Sequence, residues 1–215
     1  MATDPAELRR LQQGAAQLGV PLQEAQLLQM ARLLDELQQW SAAYNLTAVN
    51  DRQSMLTHHL LDSLSAASAL QGTRVADVGT GAGFPGLPLA IARPGLAFTL
   101  IDATAKKIRF VTHVARALGL ANVTPLHARM ESPSQQRFDT VIARAVAALS
   151  ELVADAGALV ADGGCLLAMK GRYPADEIAA LPAAWSLRSA QAIEVPGLDA
   201  ERHLLTLERA RLPSA

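Results

Sequence analysis

Beyond Pro21, apolar side chains recur every three or four positions. Leu27, Met30, Leu34 and Leu37 form one stripe, the spacing that puts residues on a single face of an α-helix. The first 70 residues read as helical, beginning with this segment, and Trp40 is the predicted end of its helix. Tyr44-Asn45-Leu46-Thr47 and Asn50-Asp51 read as a loop. A second helix is predicted from about Gln53 to Leu70, where Met55, Leu56, His59, Leu60 and Leu64 can line one face. Gly72 is its predicted terminator.

From Arg74 the pattern changes to short apolar runs separated by helical stretches. The predicted strands are Val75 to Val78, Ala97 to Ile101, Val123 to His127, Phe138 to Ala143 and Cys165 to Met169. The helices between them fall at about Pro85 to Ala92, Lys106 to Leu118 and Leu149 to Val160. Strand alternating with helix implies an α/β fold, a parallel sheet covered on both faces. Two further runs, Ser186 to Val195 and His203 to Arg209, are joined by Pro196-Gly197-Leu198-Asp199. This hairpin-like ending predicts an antiparallel strand in an otherwise parallel sheet. The change of architecture near Gly72 divides the chain into a helical extension, 1–72, packed on a catalytic domain, 73–215.

At 215 residues, half of them hydrophobic and 18% charged, the chain suits one catalytic domain with an appendage. The N-terminus lacks a basic segment followed by an apolar stretch, and no apolar run reaches the roughly 20 residues that cross a bilayer. Export and membrane insertion are therefore not expected. Cys165 is the single cysteine. It has no partner for an intrachain disulfide, which makes a reducing cytoplasm the expected setting.

The net charge of −1 conceals an uneven distribution. Residues 73 to 144 carry nine Lys/Arg against four Asp/Glu, while the thirds on either side are each net −3. The basic third also holds the most chemically suggestive segment, and that coincidence points to an anionic substrate.

That segment is Asp77-Val78-Gly79-Thr80-Gly81-Ala82-Gly83-Phe84-Pro85-Gly86. Glycines after a first strand let the backbone approach a ligand closely, and the helix that follows offers free amide hydrogens. Pro85 suits the first turn of that helix. Gly81-x-Gly83-x-x-Gly86 also satisfies the dinucleotide fingerprint, a weak signal when alone. Two carboxylates decide between the readings. Asp77, two residues before Gly79, can face the ammonium group of an amino-acid moiety, directly or through water. Asp102, at the end of the second strand, can accept from both ribose hydroxyls. Together they fit S-adenosylmethionine better than a nicotinamide dinucleotide. The cofactor half alone does not name the acceptor: a small molecule, a protein or RNA stays open, as does a nucleotide-binding module without catalysis.

The chain resembles the bacterial 16S rRNA guanine-N7 methyltransferases, also called glucose-inhibited division protein B. The resemblance rests on Trp40 with Tyr44-Asn45-Leu46-Thr47, on His59-Leu60-Leu61-Asp62-Ser63-Leu64, and on the stretch Asp77 to Gly86. It extends to Asp102 with Lys106-Lys107, Phe138-Asp139, Arg144-Ala145 and Lys170-Gly171. Ser41, where the family often has asparagine, and Thr104 are departures. The resemblance implies a Rossmann-like class I methyltransferase fold with a mostly parallel seven-stranded sheet. It also implies cofactor contact at Gly79, Phe84, the Met130-Glu131 pair and Arg144, beside Asp77, Gly81, Gly83 and Asp102. Its implied partner is 16S rRNA or a small ribosomal subunit precursor, with no obligate protein partner.

Absent motifs narrow the chemistry. Amine methylation commonly uses an Asn/Asp-Pro-Pro-aromatic run after the fourth strand, where this chain reads Ile142-Ala143-Arg144-Ala145. Methylating a pyrimidine carbon needs a loop cysteine, whereas Cys165 falls inside the predicted fifth strand. Guanine N7 has a free lone pair and loses no proton, so transfer there needs positioning by Arg144 and Lys170 and no general base. Lys106, Lys107, Arg109, Lys170 and Arg172 are the candidate phosphate contacts. His58 and His59 read as packing or capping residues, Asp62 and Ser63 as braces for the N-terminal helices, and no segment has metal-ligand spacing.

Overall fold

The computed structural model describes residues 4–49, 51–130, 136–145 and 148–210. Its N-terminal part is helical: α1 (Pro5–Gln17), α2 (Glu24–Tyr44), α3 (Arg52–Met55) and α4 (Asp62–Leu64), the last two joined by a π-helical segment, Leu56–Leu61. The α/β part follows as β1 (Arg74–Val78), α5 (Gly86–Ala92), β2 (Ala97–Asp102), α6 (Ala105–Ala117), β3 (Val123–His127) and β4 (Phe138–Arg144). It continues through α7 (Leu149–Ala156), β5 (Val160–Lys170), α8 (Ala175–Ala179), β6 (Trp185–Ala192) and β7 (His203–Arg209).

The seven strands form one sheet in the order β3-β2-β1-β4-β5-β7-β6. β1 to β5 are parallel, and β7 runs antiparallel between β5 and β6. This is the mostly parallel seven-stranded arrangement that the alternating pattern and the hairpin-like ending lead one to expect. β1, β4 and the second half of β5 are buried on both faces, which is why they read as continuous apolar runs. The core splits across the sheet. One cluster joins Leu87, Leu100, Phe110 and Val114 to Leu34, Leu37, Leu60 and Leu64 of the N-terminal helices. The other packs α7 through Leu149, Leu152 and Val153 against Val141, Leu166 and Leu205. The N-terminal helices thus share one core with the sheet.

Several expected boundaries move. α2 does not stop at Trp40 but runs to Tyr44, because Asn45, at φ 49°, is the residue that leaves the helix in the left-handed conformation. Trp40 stays helical, its ring packed edge-on to Phe110 and tilted against His113. The second helix does not reach Leu70; regular helix ends at Leu64 and turns lead to Gly72, at φ 65°. α7 ends at Ala156 and a 3₁₀ turn, Gly157–Leu159, feeds β5, which begins at Val160. β6 ends at Ala192, before the expected Val195. Asn50 lies outside the described residues. Among the described residues, no helix is long and apolar enough to cross a membrane.

Candidate active site

Between β1 and β4 the strand order reverses, and an open parallel sheet binds ligands in the crevice beyond the carboxyl ends of such strands. The glycine loop occupies that edge. Gly81, at φ 60°, has no heavy atom nearer than the Gly79 carbonyl at 4.0 Å to where a β-carbon would stand, so its face of the loop is open. Gly86 is the reverse case. A β-carbon there would lie 2.7 Å from Asp77 Oδ2 and 2.8 Å from Leu100 Cγ, so only glycine lets α5 begin this close to β1.

Asp77 fixes that closeness. Its Oδ2 accepts hydrogen bonds from Thr80 Oγ1 at 2.5 Å and from the Gly86 amide at 2.8 Å. The side chain is fully buried, and Oδ1 has no hydrogen-bond partner. Burial pushes its pKa up to about 7, against the pull of the Thr80 and Gly86 bonds and the nearby Arg144 charge. The sequence places Asp77 against an ammonium group; in the structure its contacts are with the loop itself. The unpartnered Oδ1 still bears on the cofactor. A buried carboxyl group with an open acceptor at the root of the loop suits a cationic ligand, and S-adenosylmethionine carries two positive groups, an ammonium and a sulfonium. The residues fit that molecule.

Asp102 joins two loops. Oδ2 accepts from the Gly81 amide at 2.9 Å and Oδ1 from the Thr104 amide at 2.8 Å. Each carboxylate oxygen can accept a second hydrogen bond, which leaves room for ribose hydroxyls. Lys107 Nζ stands 3.6 Å from Oδ2. Replacing Asp102 by alanine is expected to weaken S-adenosylmethionine binding by about 1 to 3 kcal/mol, the worth of charge-assisted bonds. Calorimetric titration of a folded variant that matches the parent would remove Asp102 from the site.

Arg144, the last residue of β4, is followed by Ala145 at φ 54°, a left-handed conformation that costs a non-glycine residue energy and turns the chain away at this edge. The guanidinium reaches the π-helical segment. There the Asp62 amide bonds to Thr57, five residues back, so the His58 carbonyl does not receive it as it would in an α-helix. That carbonyl accepts instead from Arg144 Nη1 at 2.8 Å. The same Nη1 donates to Asp62 Oδ2 at 3.0 Å, and the guanidinium carbon lies 5.6 Å from the centre of the Phe84 ring. His59 stacks on Phe84 at 4.8 Å, with Nε2 2.9 Å from Thr47 Oγ1 and Nδ1 buried without a partner. Burial, reinforced by the Arg144 charge, lowers the His59 pKa to about 4 and keeps the ring neutral.

A cleft of about 330 Å³ opens beside this group, lined by His58, His59, Asp62, Arg144, Lys170 and Arg202. The structure thus brings Arg144 and Lys170 together with Asp62, which the sequence treats as a brace, and with Arg202, which it does not single out. Lys170 is paired with Glu177 at 2.8 Å. Of the other candidate phosphate contacts, Lys106 is exposed with Nζ 3.3 Å from the Tyr44 carbonyl, and Arg109 and Arg172 are exposed. Met130 is half-buried against the α7 side of the core. Glu131 lies outside the described residues.

The family profile of rRNA small subunit methyltransferase G, GidB, matches residues 26–205. A relative from Nitrosococcus oceani, named ribosomal RNA small subunit methyltransferase G, is 47% identical over 203 residues, 94% of each chain. One of the same name from Salmonella agona is 44% identical over 202 residues, 94% of this chain and 98% of its own. Among solved structures, a SAM-dependent methyltransferase from Thiobacillus denitrificans in complex with S-adenosyl-L-homocysteine superposes with a TM-score of 0.52. It covers 70% of this chain and 90% of its own at 15% identity, which establishes the shared fold. With the profile spanning most of the chain, this protein belongs to the GidB family of S-adenosylmethionine-dependent methyltransferases, rRNA small subunit methyltransferase G.

Proposed function

We propose that the chain transfers a methyl group to N7 of a guanine in 16S ribosomal RNA. The observation that carries this reading is the end of β4. The chain places Arg144 and a left-handed Ala145 there, beside a cleft that also holds Lys170 and Arg202. Cationic side chains suit a nucleotide acceptor. Bound S-adenosylmethionine would supply an electrophilic methyl group on sulfonium. Asp77 and Asp102 hold the loop that receives it, and Arg144 links that loop to the cleft through Phe84 and Asp62. His59, with a pKa of about 4, is too weak a base to assist an amine at neutral pH. Guanine N7 does not ask for one, and acceleration then comes from alignment and exclusion of water.

Labelled methyl transfer to 16S rRNA, followed by mapping of the modified base, tests the reading. One 7-methylguanine is the expected product. Methyl transfer confined to a metabolite panel or to protein would overturn it. Lys106 lies exposed beyond β2 on the basic third of the chain. Lys106→Ala is expected to weaken RNA binding and flatten its salt dependence by about one unit of slope while sparing cofactor affinity. A parent-like slope would take Lys106 off the RNA path.

A further inference from the structure

Arg202 is the cleft residue that the glycine loop does not account for. It immediately precedes β7, whose first residue, His203, pairs in register with Lys170, the last residue of β5. Arg202 therefore emerges at the same sheet edge as Lys170. Its Nε donates to Asp62 Oδ1 at 2.7 Å, while Arg144 holds Oδ2. One carboxylate, with only 4% of its side chain exposed, thus carries two guanidinium groups side by side at the cleft. Among the described residues, the ion pairs at this cleft set three cations, Arg144, Lys170 and Arg202, against two carboxylates, Asp62 and Glu177. Donors are in excess. A guanidinium offers five N–H groups. Among the described residues, Arg202 bonds through Nε and, to the Glu201 carbonyl, through Nη1, and Arg144 through Nη1 alone.

Taking this cleft as the acceptor site proposed above, we propose that Arg202 binds a phosphate of the target nucleotide, anchored for that purpose by Asp62. Arginine recognises phosphate with paired, parallel donors. Its other common nucleic-acid contact, the bidentate grip on guanine, takes O6 and N7 together. N7 must stay open to receive the methyl group, so the reaction directs Arg202 to the backbone. Arg144, over the Phe84 ring, belongs with the cofactor loop, whereas Arg202 arrives from the β6–β7 connection.

The test uses the full chain and a 16S rRNA substrate. For Arg202→Ala, the salt slope of RNA binding should fall by about 0.7 to 0.9, the range for one phosphate from single-stranded to duplex nucleic acid. Single-turnover methylation should drop tenfold or more, with S-adenosylmethionine affinity within twofold of the parent. Arg202→Lys should recover the slope but not the full rate, because a point charge lacks the fork. Neutral methylphosphonate linkages placed beside the target guanosine should weaken binding of the parent chain at one linkage, a measurement that needs no variant to fold. A folded Arg202→Ala with the parent's salt slope would overturn the proposal, as would loss of cofactor affinity with RNA binding intact, or a linkage scan without effect. A parent chain that methylates no RNA guanine would defeat the acceptor reading itself, an outcome distinct from all of these.

Discussion

Replacing Arg144 by alanine is expected to lower methyl transfer at least a hundredfold and to lower the unfolding temperature by about 4 to 8 °C. The two effects have separate causes. For stability, the substitution strips Asp62 of one of its two cationic partners and leaves the His58 carbonyl, freed by the π-helical turn, without a donor. That carbonyl is part-buried, and an acceptor left unsatisfied costs about 1 to 3 kcal/mol. Truncating one member of a buried ion pair can cost more, but Arg202 still holds Asp62 and Arg144 is 18% exposed, so about 2 kcal/mol is the appropriate figure. In a domain of this size each kcal/mol moves the midpoint by roughly 2 to 4 °C. For catalysis, the same guanidinium spans Phe84 of the cofactor loop and Asp62 of the acceptor cleft, so its loss uncouples two halves that must align within a fraction of an ångström. Arg144→Lys should retain more stability than activity, since a lysine keeps the charge but cannot reproduce the cover over Phe84. Thermal unfolding, cofactor titration and single-turnover transfer separate the contributions. A folded alanine variant with the parent's midpoint and single-turnover rate would remove Arg144 from the role described.

The residues that were legible in the sequence share a physical reason. A strand buried on both faces has to be apolar throughout, so Val75 to Val78 and Phe138 to Ala143 announce themselves, and the glycine loop follows from its punctuation. Helix α1 is silent for the opposite reason. Gly14 sits in its interior, where it weakens the helical signal, yet a β-carbon at that position would stand 2.7 Å from Leu61 Cδ1. The feature that hides the helix is the one that lets it pack. The π-helical segment is illegible because one widened turn barely disturbs the spacing of Met55, Leu56, Leu60 and Leu64, while it decides which carbonyl is left for Arg144. Arg202 is illegible for another reason. Its partner Asp62 lies 140 positions away, and a single charge in a connecting loop carries no periodic signal. Asp77 is intermediate: its residue type marks the position, but only the folded loop shows that its carboxyl group turns toward Thr80 and Gly86.

Replacing the target guanine by its 7-deaza analogue is expected to abolish methyl transfer while leaving RNA binding within a few-fold of the parent. The substitution removes the nucleophilic lone pair and preserves the Watson-Crick edge and the ring shape. Two alternative routes lack their machinery in this chain. Cys165 is fully buried inside β5, paired in register with Thr140, and burial pushes its thiol pKa up, so it is no nucleophile toward a ring carbon. The amine-methylating run has no counterpart at Ile142 to Ala145. Because N7 loses no proton, the single-turnover rate on normal RNA should also lack an ascending limb across neutral pH. His58 makes that second measurement informative. It lines the cleft, and its Nδ1 donates to the Ser54 carbonyl at 3.0 Å, so in a neutral ring Nε2 would be the acceptor. If the rate rose tenfold per pH unit with RNA binding constant, a proton-removing group would be at work and His58 would be the first residue to replace. If the deaza substrate were methylated at the parent rate, the acceptor would be another atom of the base.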